Sequence, residues 1–321
     1  MPSPQFALPF SLPQGPVLIA GCGGGYDVVC ALPVALALKA AGHPVHLANY
    51  SFTDLHEATE CPQVDGCLYR VGRTSEPSKT RRYFPERQLS RWWHHRFGED
   101  QSIWAFGRQG VRPVRQAYRY LQATLDLRSV VVVDGGVDGL FIGNEHELGS
   151  PSMDAVSILS AASLSECTGV FCFTAFGTEG TAYSVRHADA LRRVADLVQS
   201  KSMLGVAACI PGTAVGDDFL DAVRYIHGDT PDIWHSNMVS SIQAAMHGRF
   251  GETAVTVKTQ TDRIWVSPLT LLYWFFDLEA VAAMKPYRHE VLETDSVTDV
   301  YDAIERVRQR LGVLEKSDIP I

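Results

Sequence analysis

The chain has 321 residues, 46% hydrophobic and 20% charged, a balance that excludes disordered, fibrous and membrane-spanning classes. A net charge of -8 gives no overall drive toward nucleic acid or anionic lipid, and neither is expected as a partner. The length suits one large α/β domain or two small ones, either with a full core, and a single domain spanning 1–321 is the expectation.

Residues 1–16 are rich in Pro, and no basic residue precedes an apolar run, so they do not read as a secretory signal. The first strand, 17–20, runs into Gly21-Cys22-Gly23-Gly24-Gly25-Tyr26-Asp27 and a helix over 27–41. That helix contains Pro33 and Lys39 and is too short to span a bilayer. A second strand is predicted at 45–48. Residues 54–110 then break the rhythm with Pro62, Pro77, Pro85 and an aromatic cluster of Trp92, Trp93, Phe97, Trp104 and Phe106. This stretch reads as a large insertion, an Arg- and aromatic-rich lid.

Helices are predicted near 113–125, 153–164, 187–199 and 218–227, separated by strands at 130–133, 170–173 and 205–208. The helix after Ser150-Pro151 has a legible start, with Ser150 as cap, Pro151 at the first position and Asp154 in the electropositive first turn. Toward the end come the segment 234–247, a hairpin of 254–258 with 263–266, an apolar helix over 269–284 and a helix over 298–311. The last lies in a helical extension, 286–321, and Ser296 with Asp299 forms its capping-box signal. The alternation predicts a doubly wound, mostly parallel Rossmann-like sheet.

Charge is unevenly distributed. Residues 70–119 carry twelve basic side chains, Arg70, Arg73, Lys79, Arg81, Arg82, Arg87, Arg91, Arg96, Arg108, Arg112, Arg115 and Arg119, against four acids, a local excess of +8. Such a run is either a solvated, salt-bridged face or a site for an anionic ligand or acidic partner. Seven scattered cysteines form no disulfide framework and no zinc spacing, which fits a reducing, cytoplasmic setting.

Four glycines in the first loop exceed the needs of a plain turn and predict a phosphate or nucleotide site at Gly21, Cys22, Gly23, Gly24, Gly25 and Tyr26. Tyr26 stands where a dinucleotide fingerprint wants a third Gly or Ala, and Asn49-Tyr50-Ser51 at the second strand end offers no acid for a ribose. The loop is not a P-loop either. Cys22 is either a thiolate favoured by the helix start or a small buried residue.

The second candidate is Asp134-Gly135-Gly136-Val137-Asp138, followed by Gly143-Asn144-Glu145 and Gly149-Ser150-Pro151. In a doubly wound sheet it shares one rim with the first loop. Gly135 and Gly136 join the ligand-binding set. Asp134, Asp138 and Glu145 are candidate ligands for Mg²⁺, with turn and capping work as the competing role. A third strand end brings Glu179 to the same rim. Asp27, Asp138, Glu145 and Glu179 are the candidate catalytic acids. At most one of His94 and His95 enters a site, and Trp92, Trp93 and Trp104 either stack on a base or pack the lid.

With Gly110-Val111-Arg112-Pro113, residues 237–251, Ser267-Pro268-Leu269 and Tyr273-Trp274-Phe275-Phe276-Asp277 added, this set of motifs resembles the domain of unknown function 1152 family over most of the chain. The resemblance implies a single-domain α/β protein and transfers no activity. From the residues, the expected function is hydrolysis or group transfer on a nucleotide or other phosphorylated small molecule, with insertion arginines neutralising developing charge. A dinucleotide-dependent oxidoreductase and a non-catalytic nucleotide sensor or scaffold are the alternatives. A nucleotide or Mg²⁺ is the expected cofactor, and a homo-oligomer is allowed.

Overall fold

The computed structural model describes residues 5–79, 82–179 and 185–315. Its strands in chain order are β1 (Val17–Gly21), β2 (Val45–Tyr50), β3 (Gln63–Asp65), β4 (Leu68–Val71), β5 (Ile103–Phe106), β6 (Ser129–Asp134), β7 (Thr168–Phe173), β8 (Met203–Ala208), β9 (Gly251–Thr253), β10 (Ile264–Val266) and β11 (Leu272–Asp277). The helices are α1 (Asp27–Cys30), α2 (Leu32–Ala40), α3 (Pro85–Phe97), α4 (Val111–Leu125), α5 (Pro151–Ala161), α6 (His187–Gln199), α7 (Ala214–Gly228), α8 (Asn237–Met246), α9 (Leu278–Ala283), α10 (Arg288–Val291) and α11 (Val297–Leu311). The fold is α/β. None of these helices is long and apolar enough to cross a membrane.

One nine-stranded sheet has the order β3-β4-β5-β2-β1-β6-β7-β11-β8. Its centre, β5 to β7, is wholly parallel, and every residue of β1 and β6 is buried, as expected of strands covered by helices on both faces. The chain leaves β1 for β2 and β5 on one side, then returns to place β6 on the other. The topological switch therefore falls between β1 and β6, whose ends are in register, Gly21 opposite Val133.

The 54–110 stretch is woven into this frame. It supplies β5, parallel to β2, then β4 and β3 antiparallel at the edge. It also supplies α3, which buries Trp92 and Trp93 and packs on α7. Its alternating Ile103 to Phe106 segment finds an open sheet edge, so the aromatics become core. The arginines spread over surface pairs with acids: Arg73 with Asp100, Arg91 with Glu76, Arg96 with Asp218, Arg112 with Asp295 and Arg115 with Glu293. Arg81 lies outside the described residues.

Three expected elements differ. The helix over 27–41 is two, with Pro33 near the start of α2. The first arm of the small hairpin is β9, a few residues earlier than expected. The apolar helix expected at 269–284 is instead β11 followed by α9, because a strand slot lies open between β7 and β8. Aromatic residues fit that half of the segment: Trp274 and Phe276 stack on Phe173 at 5.7 and 5.9 Å, while Tyr273 and Phe275 pack on the other face. The final helix starts as read, since Ser296 and Asp299 exchange their capping-box bonds, and α11 packs on α5.

Phe275→Ala is expected to cost about 3–5 kcal/mol in urea unfolding, the range for a buried aromatic. A loss under about 1 kcal/mol would mean the segment is not a central strand.

Candidate functional site

Beyond the switch point the loops after β1 and β6 part around a cavity of about 610 Å³, a volume suited to a small molecule. Gly23, Gly24 and Asp27 form one wall, and Asp134, Gly135, Gly136 and Asp138 form the other. Ser150, Met153 and Asp154 enter from the start of α5, and Glu179 from the loop after β7. Above lie Asn237 and Met238 of α8, with Lys258, Thr259 and Asp262 from the segment between β9 and β10. Both predicted glycine loops thus face one crevice.

Five buried carboxyl groups meet at its floor, while a sixth, Asp262, is exposed at the rim. Gly23 N donates to Asp27 Oδ2 at 2.7 Å and Gly139 N to Asp134 Oδ2 at 2.9 Å. Asp138 Oδ2 accepts from the amide and hydroxyl of Ser150, and Glu179 Oε1 from Val137 N. Ser150 was expected to cap α5; its side chain holds Asp138 instead. Asp154, 1% exposed, has neither carboxylate oxygen hydrogen-bonded among the described residues. Oε2 of Glu179 is likewise sealed and without a partner among them.

The glycines make the room. A Cβ on Gly23 would stand 2.4 Å from Asp154 Oδ1, and one on Gly149, at φ +64°, 2.4 Å from Asp138 Oδ2. At Gly136 it would meet Glu179 Oε1 at 2.8 Å and Asp138 Oδ1 at 3.2 Å. The glycine pattern read as a phosphate cradle is therefore occupied at close quarters by the protein's own acids.

Burial raises all five groups above the ordinary carboxyl range, and repulsion from neighbouring carboxylates adds to the rise in Asp27, Asp134, Asp154 and Glu179. Burial first, then Asp138, pushes Asp27 up to about 7, although the Gly23 amide opposes this. Burial first, then Asp138, pushes Glu179 up to about 8. Asp134, Asp138 and Asp154 are raised too, chiefly by burial. The buried Lys285 does not pair with any of them. Its Nζ donates to the carbonyls of Gly139 and Phe141, both at 2.6 Å, and burial lowers it to about 8.

Other expected site residues sit elsewhere. Glu145 is fully buried outside the cavity, held by Arg193 Nε at 2.6 Å and by the amides of Ile142 and Gly143, so it works as the anchor of its loop. Gly21 ends β1 beneath Asn49. Burial raises the Cys22 thiol, which donates to the Asp154 carbonyl at 3.6 Å and acts as a small buried group. Gly25 and Tyr26 turn toward Tyr83, 5.7 Å from Tyr26 between ring centroids. Asn49 Nδ2 donates to Gly25 O and Glu86 Oε1, and the Phe52 ring lies against Gly24 at the edge of the cavity. His94 pairs with Asp100, His95 stacks on Tyr225, and neither lines the cavity. No arginine does so among the described residues; the cation there is Lys258. Gly180, next to Glu179, lies outside the described residues.

Sequence reasoning missed Asp154 as a site residue, along with Asn237, Lys258 and Lys285. The signal for Asp154 was an acid opening a helix whose next residues are almost all apolar or small, so that no face of the helix is left for water.

A family model, described as a protein of unknown function (DUF1152), matches residues 18–315. The chain belongs to the DUF1152 family. The matched span contains all eighteen described residues that line the cavity. No curated protein and no solved structure significantly matches this DUF1152 chain.

A carboxyl raised on folding favours the folded state while protonated, and that advantage is lost as pH climbs from the unfolded value through the folded one. For Glu179 the window runs from the ordinary glutamate value of 4.5 to about 8. Glu179→Gln should therefore gain up to about 3 kcal/mol relative to wild type between pH 5.5 and pH 8. Urea titrations at the two pH values read this, and an opposite sign means that the carboxylate is stabilised.

Proposed function

We propose that the protein is an enzyme that binds a nucleotide or another phosphorylated, anionic small molecule over the carboxylate floor and catalyses hydrolysis or group transfer. The observation that carries this reading is Glu179, a carboxyl raised to about 8 with a sealed oxygen at the cavity that has no partner among the described residues. A group that titrates near neutrality beside a ligand-sized space suits proton transfer. Glu179 takes the proton of the attacking water or acceptor hydroxyl as the new bond forms; the bond to the leaving oxygen breaks and that oxygen receives the proton. Asp138, fixed by Ser150, orients the attacking group.

Affinity for an anion is supported by Lys258 and by the N-termini of α5 and α8, which border the cavity at Ser150 and Asn237. Tyr26 in place of a third Gly or Ala, and Asn49-Tyr50-Ser51 in place of a ribose-gripping acid after β2, speak against a dinucleotide-dependent oxidoreductase. All seven cysteines are free, in keeping with a reducing, cytoplasmic setting.

The test is turnover of a panel of nucleotides and sugar phosphates by the purified protein, after mass spectrometry of any ligand released on denaturation. Glu179→Gln, folded by circular dichroism, should lower kcat about 10²- to 10⁴-fold. Undiminished turnover in the variant removes Glu179 from the chemistry. A copurified nucleotide that survives incubation with water and acceptors makes the protein a sensor and ends the catalytic reading.

A further inference from the structure

We propose that Asp27, Asp134 and Asp154 hold one divalent, oxygen-preferring cation of the Mg²⁺ or Mn²⁺ class at the floor of the cavity. The inference deepens the reading above and rests on this cavity being the functional site. One carboxylate oxygen from each residue lies within 4.8 Å of the other two. Oxygens bound side by side to one cation at about 2.1 Å stand about 3 Å apart, and those bound opposite about 4.2 Å. The three residues come from three elements, α1, the end of β6 and α5, so the sheet frame and not a local loop brings them together.

The unpartnered Asp154 is the independent observation. Its side chain is 1% exposed and borders the cavity, and neither of its oxygens has a hydrogen-bond donor among the described residues. A buried carboxylate without partners is costly, and a polar group of this kind is ordinarily satisfied by something. Lys285, the nearby buried cation, spends its protons on two carbonyls. Asp27 and Asp134 each keep one oxygen on a backbone amide, an arrangement that orients a carboxylate toward a ligand. Oxygen ligands alone favour a hard cation over zinc.

A cation here also explains how an acidic floor accepts an anion. Three carboxylates alone repel phosphate; with a divalent ion between them, the cavity side offers coordination positions to water or a phosphate oxygen.

The experiment uses the full-length chain stripped with EDTA and titrated with MnCl₂, followed by the electron paramagnetic resonance of free Mn²⁺ and by calorimetry, with MgCl₂ as competitor. The expected result is one Mn²⁺ per chain, displaced by Mg²⁺, and a melting temperature raised by about 4–8 °C at saturation. Asp154→Asn and, should that variant not fold, Asp154→Glu should weaken binding at least 10-fold, while Glu252→Gln on the exposed surface should leave it unchanged. Absence of binding at millimolar Mn²⁺, or equal affinity in the folded Asp154 variant, overturns the site. Turnover that needs Glu179 yet persists in EDTA overturns the cation and leaves the enzyme reading standing. One-to-one binding lost on substitution of Asp154, with no turnover of any substrate, upholds the cation site and removes that reading.

Discussion

Five acidic side chains converge where the two halves of a parallel sheet diverge, and much of the surrounding structure serves to hold them together. Left to themselves, carboxylates this close repel one another and seek water. The fold prevents both. Asp27, Asp134, Asp138 and Glu179 are restrained by backbone amides, and the residues facing them are glycines at which even a methyl group would collide with a carboxylate oxygen.

Such an arrangement is affordable only on a rigid base. β1 and β6 are buried along their full length and aligned residue by residue, so the loops that follow them leave the sheet at fixed positions. α5 presses against β6 and α11 against α5, which locks Asp154 against Gly23. The C-terminal helices therefore act on the site from a distance: they carry no residue that lines the cavity, yet α11 backs the helix that carries Asp154. Lys285, between α9 and α10, ties the same region to the carbonyls of Gly139, within the 138–140 turn, and of Phe141, just after it.

The Arg-rich stretch has a different logic. Its arginines bind surface acids, several of them distant in sequence, such as Asp218, Glu293 and Asp295. They stitch the edge of the sheet and α3 and α4 to the rest of the domain, and positive charge is spent there instead of at the cavity. The floor is thus left with a surplus of negative charge, met at its rim by Lys258 and two helix starts.

What the chain order of residues determined was the parallel strands β1, β2, β6 and β7, the two glycine loops and their sharing of one rim, because buried parallel strands are continuous apolar runs and strand ends in this architecture lie on one edge. The last helix was equally legible, since a capping box is a contact between residues three apart. What only the tertiary structure decided was whatever depends on a distant partner. Glu145 looks like Asp138 in sequence, and Arg193, far along the chain, makes it an anchor. Asp154 looks like a helix-start acid, and its packing against Gly23 makes it part of the floor. Residues 272–277 have the apolar content of a helix and become a strand because β7 and β8 leave a gap of that width. Local pattern reports local preference, and roles set by contacts between residues distant in the chain leave no mark in it.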